Sequence, residues 1–162
     1  MATLKFEGVD AYITELNRLE GATEEIIGKT IYKGAGVVAD AIKANIRALP
    51  IAQGVMGTEG KKLNGITAAQ KTGLINGFGI SPMRNQGGQY DVKIGFDGYN
   101  RTFTKQYPNG QPNVVVARSI EAGTSFRQKH PFVAPAVRAT KGQAEAIMKE
   151  TLEAEIRKVT GG

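Results

Sequence analysis

Apolar residues recur every three or four positions in two long stretches of the chain. In the first stretch, a 3.6-residue period predicts an amphipathic helix whose apolar face is formed by Ile27, Ile31, Ala35, Val38, Ile42 and Ile46. Thr23 suits the N-cap, and Glu24 and Glu25 fall in the first turn, where acidic side chains favour the helix dipole. Pro50 cannot continue a helix. The pattern therefore predicts a helix over about residues 23–48.

The second periodic stretch ends the chain. Its apolar face comprises Val137, Ala144, Met148, Leu152 and Ile156. Pro135 suits the first turn of a helix, where a missing backbone N–H costs no hydrogen bond. We therefore expect a second long helix over about residues 135–158.

Between these helices the apolar period changes to two. Tyr90, Val92, Ile94 and Phe96 alternate with polar residues or glycine, which predicts a half-buried strand. Asp97-Gly98 is typical of a hairpin turn, so a return strand is expected near residues 100–106. Apolar runs predict further strands at residues 4–6, 74–80 and 114–120. The fold class is thus α+β: a mostly antiparallel sheet of about four strands, with the two long helices packed on one face, in a single domain over residues 1–162.

A glycine-rich segment at about residues 51–73 lacks either period. It contains Gly54, Gly57, Gly60, Gly65 and Gly73, with Lys61 and Lys62 between them. Loops of this length inside a compact domain are usually functional or disordered. Two interpretations remain open: an arm that orders against a neighbouring subunit, or a surface loop without a partner.

The stretch from Arg118 to Ala136 combines several backbone signals. The expected strand 114–120 leads to Glu121, and Gly123 then permits a turn with positive φ. The carboxylate of Glu121 can accept from loop amides of its own chain or pair with a basic residue of another subunit. Phe126 and Phe132 flank a basic loop, as core side chains or as anchors for a partner, and we expect Phe132 in the core.

This order of motifs resembles a known family. Glu121-Ala-Gly-Thr124, a loop, His130-Pro-Phe-Val-Ala-Pro-Ala136 and a terminal helix are similar to the tail-completion and head–tail joining (neck) minor tail proteins of long-tailed bacteriophages. Phe6-Glu-Gly-Val-Asp10 resembles the opening of that family, where a short strand enters a helix. Thr72-Gly-Leu74 resembles its central Thr-Gly-x-Leu element, although here the leucine follows the glycine directly.

The resemblance implies a structural virion protein without enzymatic activity. It implies a homo-oligomeric ring, for example a hexamer, at the neck or the head-proximal tail end, which completes the tail and joins it to the head around the DNA channel. Expected partners are further copies of the chain, head-completion or adaptor proteins, and the tail terminator or tail tube, with transient, non-specific contact to duplex DNA. Assembly would take place in the cytoplasm of the bacterial host. Candidate partner-interface residues are Glu121, Gly123, Thr124, Phe126, Arg127, Lys129, Lys61 and Lys62.

The charge balance supports one alternative function. The net charge is +6 and the sequence pI is about 9.6, which is compatible with a basic module that binds nucleic acid without sequence preference. The basic residues are scattered singly, however, and the sequence shows neither a reader motif nor an aromatic stacking platform. We therefore expect only weak, salt-sensitive binding to duplex DNA.

Catalytic and metal-binding patterns are weak throughout the sequence. The chain has no cysteine, and His130 is its single histidine, which we expect to pack or hydrogen-bond beside Pro131. Gly54 to Lys62 lacks the spacing of a phosphate-binding loop, and Lys62 stands where that loop needs Ser or Thr. Glu121 with Asp91 or Asp97 is a possible but unspecific carboxylate pair. We expect no catalytic site, cofactor or metal, and no apolar run reaches the roughly 20 residues of a membrane span.

Overall fold

A computed structural model describes residues 2–5 and 23–161 of the chain. Phe6 to Asp10, and the short helix expected after Asp10, lie outside these residues. The described elements follow in the order β1 (Ala2–Lys5), α1 (Thr23–Ala48), α2 (Ala68–Gly77), β2 (Phe78–Ile80), β3 (Arg84–Gln86), β4 (Gln89–Phe96), β5 (Tyr99–Asn100), β6 (Gln111–Pro112), α3 (Asn113–Ala122) and α4 (Ala134–Thr160). The expected mixture of helices and antiparallel strands is confirmed.

The two long helices, α1 and α4, pack along each other. Their predicted apolar faces lie in the core, and Pro135 occupies the first turn of α4 as expected. A β-carbon at Gly34 of α1 would lie 2.6 Å from Cγ of Met148 of α4. The glycine therefore lets the two helices approach closely at this crossing.

Strand β4 is the centre of the sheet. β1 pairs with one edge of β4, and β2 and β3 pair with the other, all antiparallel, with Leu4 opposite Val92, Ile80 opposite Ile94 and Arg84 opposite Asp91. Val92 and Ile94 are buried, as their alternation predicts. Helix α1 contacts this sheet, whereas α4 packs mainly along α1. The expectation that both long helices pack on one face of the sheet is therefore met only in part.

The expected strand at residues 114–120 is wrong, because this segment belongs to helix α3. Its buried residues are Asn113, Val116, Ala117 and Ile120, which is helical spacing. The β-branched residues that suggested a strand fit this short helix because α3 packs one face against α2 and β4. Tertiary packing overrides intrinsic preference here.

The expected strand at residues 74–80 is correct only for its last three residues. Residues 68–77 form α2, and Thr67 and Gln70 form a capping box in which each side chain accepts from the other's backbone amide. Gly73 is required because its β-carbon would lie 2.3 Å from Cβ of Asn100. The central Thr-Gly-Leu motif therefore belongs to a helix that the 99–113 segment crosses closely.

The return strand expected at residues 100–106 does not pair with β4. The chain turns at Gly98, which has a φ of +73°, and β5 pairs instead with β6 in a separate two-stranded ribbon. Both edges of β4 are already occupied, by β1 and by β2 and β3. The hairpin dipeptide therefore makes a turn, but no free edge is available for the returning chain.

The C-terminal end of α1 is fixed by a lysine from α2. Nζ of Lys71 donates to the carbonyl oxygens of Arg47 and Leu49, at 3.0 and 2.5 Å. A cation suits this position because the last carbonyls of a helix lack partners and carry partial negative charge.

Across the described segments, no helix is long and apolar enough to cross a membrane.

Candidate assembly surface

Glu121 joins the last turn of α3 to the first turn of α4. Its Oε2 accepts from the backbone amides of Phe132 and Val133, at 2.7 and 2.9 Å, and its Oε1 accepts from the amide of Ala134, at 3.0 Å. The first amides of a helix lack intrahelical partners and favour a negative charge. The sequence left two partners open for this carboxylate: loop amides of its own chain, or a basic residue of another subunit. The structure shows the bonds to amides of its own chain.

Gly123 ends α3 with the positive φ that the sequence predicted. Its φ and ψ are 75° and 163°, and a β-carbon there would lie 3.0 Å from Cβ of Lys129. A side chain at this position would therefore be strained both by the backbone angle and by its neighbour. The glycine lets the chain double back, so that the amide of His130 donates to the carbonyl of Ile120 at 2.8 Å.

Between Gly123 and His130 the chain forms a tight turn. The backbone amide of Thr124 donates to the carbonyl of Arg127 at 3.0 Å, and Oγ1 of Thr124 accepts from the amides of Phe126 and Arg127. The threonine hydroxyl is thus the acceptor for two loop amides that belong to no helix or strand. This turn leaves the side chain of Phe126 46% exposed.

The glycine-rich segment is held against this turn by the same chain. The amide of Leu63 donates to the carbonyl of Phe126 at 2.9 Å, and the amide of Gln128 donates to the carbonyl of Leu63 at 2.8 Å. Gly57 fits closely here, since its β-carbon would lie 2.5 Å from the carbonyl oxygen of Phe126. Because α2 begins at Ala68, the loop is shorter than expected, and Leu63 within it is hydrogen-bonded to its own chain.

A buried arginine fixes the far side of this junction. Arg127 is 6% exposed, and its guanidinium donates to the carbonyl oxygen of Gly65. Burial lowers the pKa of Arg127 from its ordinary value, because the charged form loses solvation. Arg127, like Glu121, therefore makes its contacts within its own chain. It does not lie on the exposed interface that was predicted for it from the sequence.

Two loops far apart in sequence are thus joined by backbone contacts, and both carry exposed side chains. Val55, Met56 and Phe126 are 45%, 75% and 46% exposed, and they project from backbone segments that are in contact. Lys61, Lys62 and Lys129 are exposed on the same two segments. We call this set of six residues the loop platform. Gly123 and Thr124 form the backbone turn that carries Phe126.

Phe132, at the start of the segment that leads into α4, lies in the core as predicted. It is 1% exposed, and its ring meets that of Phe96 edge to face with centroids 6.0 Å apart. The carbonyl of Phe132 also accepts from Nδ2 of Asn45 at 3.1 Å, which ties the start of α4 to α1.

The groups with catalytic potential have structural partners. Nε2 of His130 contacts Oδ1 of Asn64, and the hydroxyl of Ser119 donates to the carbonyl of Val116 in its own helix. Of the carboxylates considered as a pair, Glu121 accepts from backbone amides and Asp91 is paired with Arg84. Within residues 2–5 and 23–161, no group of three or more His, Cys, Asp or Glu side chains could hold a metal ion.

Two sets of exposed residues were not predicted from the sequence. Val55 and Met56 are apolar residues in a glycine-rich loop. Apolar side chains in such a loop could have indicated a contact surface. Tyr99 and Phe103 are 71% and 65% exposed, whereas no exposed aromatic residues that could stack on bases were expected.

Comparisons with models of protein families, with curated proteins and with solved structures gave no match for this chain.

Proposed function

We propose that this protein is a structural component of the virion of a long-tailed bacteriophage. It forms a ring at the neck or the head-proximal end of the tail, completes the tail, and joins it to the head around the DNA channel. The observation that carries this proposal is the loop platform, in which two loops fixed by hydrogen bonds present exposed apolar side chains among lysines. Such a centre with a charged rim is typical of protein interfaces.

The family-like motifs and the loop platform form one structural unit. Glu121 fixes the start of α4, Gly123 reverses the chain, and Thr124 shapes the turn that carries Phe126. The Glu121 to Thr124 part of the family-like motifs therefore positions the turn that carries Phe126. This supports an assembly role, because binding surfaces on preformed loops lose little conformational entropy on docking.

Ring assembly explains why such a surface would be displayed on one side of the subunit. In a closed ring, two different faces of each subunit meet around an axis, so one face stays exposed until the neighbour docks. The lysines at positions 61, 62 and 129 favour a neighbour or neck protein that presents acidic groups. Duplex DNA passing through the channel would meet other surfaces of the ring.

The loop platform provides a direct test of this proposal. We expect that the double variant Met56→Glu, Phe126→Glu folds normally but fails to join tails to heads, since two carboxylates would be desolvated at the interface. The measurement is complementation of a phage that lacks this chain, scored by electron microscopy for separate heads and tails. A fall in complete particles of about tenfold or more is expected, since roughly 1.4 kcal/mol lost at each contact already weakens binding tenfold.

Val159→Glu is the matched control. Val159 is 43% exposed near the end of α4, away from both platform loops in the sequence. The control variant and the double variant should have the same melting temperature as the parent protein. Normal numbers of joined particles with the double variant would contradict the proposal that the loop platform is an assembly surface.

A further inference from the structure

A second exposed surface lies on the segment from Tyr99 to Lys105. Burial alternates along it: Asn100 and Thr102 are 4% and 6% exposed, whereas Tyr99 and Phe103 are 71% and 65% exposed. Arg101 and Lys105 are also exposed. The outward side therefore presents an aromatic ring, a cation, a second ring and a second cation in sequence order. We call these four side chains the aromatic–cationic row.

The inward side chains hold this row in place. Oδ1 of Asn100 accepts from the amide of Thr102 at 2.9 Å, and Nδ2 of Asn100 donates to Oδ1 of Asn113 on α3 at 3.3 Å. Asn113 in turn donates to the carbonyl of Asp97 at 2.9 Å. A buried amide network with satisfied partners is rigid, because leaving any member unpaired is costly. The exposed rings are therefore presented by an ordered backbone.

The far end of the segment is fixed in the same way. The amide of Thr104 donates to the carbonyl of Tyr107 at 3.1 Å, and the amide of Tyr107 donates to Oγ1 of Thr104 at 3.0 Å. Gly110 has a φ of +115°, and a β-carbon there would lie 2.7 Å from the carbonyl oxygen of Asn100. Both ends of the row are thus anchored, while its side chains remain in solvent.

An open cleft of about 500 Å³ adjoins the row. Tyr99 and Arg101 form part of its wall, and polar groups of Thr72, Asn76 and Asp97 line the rest together with backbone of α2. Asp97 is the one carboxylate among the lining residues, and no acidic residue occurs in the sequence between Asp97 and Glu121. The local charge is therefore positive along the row, and the cleft offers hydrogen-bonding groups beside an aromatic ring.

We propose that the aromatic–cationic row binds single-stranded nucleic acid without sequence preference. Bases stack on Tyr99 and Phe103, the phosphates pair with Arg101 and Lys105, and the cleft accepts the edge of a base stacked on Tyr99. Interleaved aromatic and cationic side chains are the common arrangement of single-strand binding surfaces, because every base has a face that can stack. A duplex offers its base faces only at its ends, so the row favours unpaired strands.

An acidic protein segment is the competing ligand for such a surface, since Tyr and Arg also concentrate at protein interfaces. The exposed residues of the row include no aliphatic side chain, in contrast to the loop platform, where Val55 and Met56 accompany the single ring of Phe126. Two separate rings among cations match the spaced bases of a strand better than one continuous apolar anchor. The row and the platform are therefore assigned different ligands.

The test is fluorescence anisotropy with a labelled oligothymidylate of about 20 nucleotides, at salt near 0.15 M. We expect the full-length protein to bind this strand more tightly than a duplex of equal length. The double variant Tyr99→Ala, Phe103→Ala should lose about tenfold or more in affinity, whereas Tyr99→Phe, which keeps the ring, should bind as the parent does. Circular dichroism melting confirms that each variant is folded.

The cations are tested by the salt dependence of binding. Replacing Arg101 and Lys105 by glutamine should weaken binding and reduce the slope of log K against log salt by about 0.7 per lost phosphate contact. Tyr32→Ala is the control, an aromatic that is 38% exposed on α1 and belongs to neither surface, and it should bind the strand normally. This assay needs no ring and no phage partner, so its outcome is independent of the proposed assembly function.

Three results would each overturn the inference: unchanged strand binding by the double alanine variant, equal affinity for single strand and duplex, or equal competition by polyglutamate of the same charge. The last result would assign the row to an acidic protein segment.

Discussion

Replacing Gly65 by alanine is expected to lower the free energy of unfolding by about 3 kcal/mol or more. Gly65 has a φ of +103°, and its β-carbon would lie 1.9 Å from the carbonyl oxygen of Pro50. That carbonyl also accepts from the amide of Ile66 at 3.0 Å. The backbone cannot move aside without breaking this hydrogen bond and the contact of Gly65 with Arg127, so the change disrupts the loop at its buried end.

Gly60→Ala is the matched control for this experiment. Gly60 lies in the same loop and is exposed, and nothing lies within 4 Å of a β-carbon built there. Its free energy of unfolding should change by no more than about 0.5 kcal/mol. Urea titration of both variants measures the difference, and similar losses at the two positions would contradict the close packing described for Gly65.

Replacing Glu121 by alanine is expected to cost roughly 2–4 kcal/mol of stability. Three backbone amides at the start of α4, those of Phe132, Val133 and Ala134, would lose a charged acceptor. Glu121→Gln keeps one acceptor oxygen and should lose less. Thermal unfolding followed by circular dichroism gives the order of stability, with the parent highest, glutamine intermediate and alanine lowest.

Glu145→Ala serves as the control for removal of a carboxylate. Glu145 is exposed in the middle of α4, so its removal should change the melting temperature little. If Glu121→Ala had the same melting temperature as this control, the carboxylate of Glu121 would not stabilise the junction of α3 and α4. Joining activity of Glu121→Gln below its melting temperature should be close to normal, because the turn is retained.

The long helices and the central strand could be predicted because their apolar patterns are long and regular. Helix α1 spans the predicted residues 23–48, and β4 includes all of Tyr90 to Phe96. Each element buries one continuous face, so the periodicity in the sequence reports directly on the core. Predictions of this kind need no knowledge of distant contacts.

The shorter helices were mistaken for strands for identifiable reasons. In α3, the valines at positions 114–116 suggested a strand, although the buried set of Asn113, Val116, Ala117 and Ile120 has helical spacing. In α2, the buried residues are Gln70, Gly73 and Leu74, so that glutamine and glycine conceal the apolar face. The capping-box pattern of Thr67 and Gln70 was the available signal for this helix.

The loop platform could be predicted only in part. The sequence indicated Phe126, Lys129, Lys61 and Lys62 as surface residues, and Gly123 as a turn with positive φ. It could not indicate that Leu63 pairs with the 126–128 backbone, or that Arg127 is buried against Gly65, because both are contacts between segments about sixty residues apart. Contacts of that range leave no local period in a sequence.

We propose above that this chain assembles at the head-proximal end of a phage tail. The most direct measurement is electron microscopy of tails that lack this chain, imaged before and after addition of the purified protein. We expect that a ring of added density appears at one end of each tail and that these tails then join to heads. The variant Met56→Glu, Phe126→Glu should add no density. Tails that remain bare with the folded parent protein would contradict the proposal.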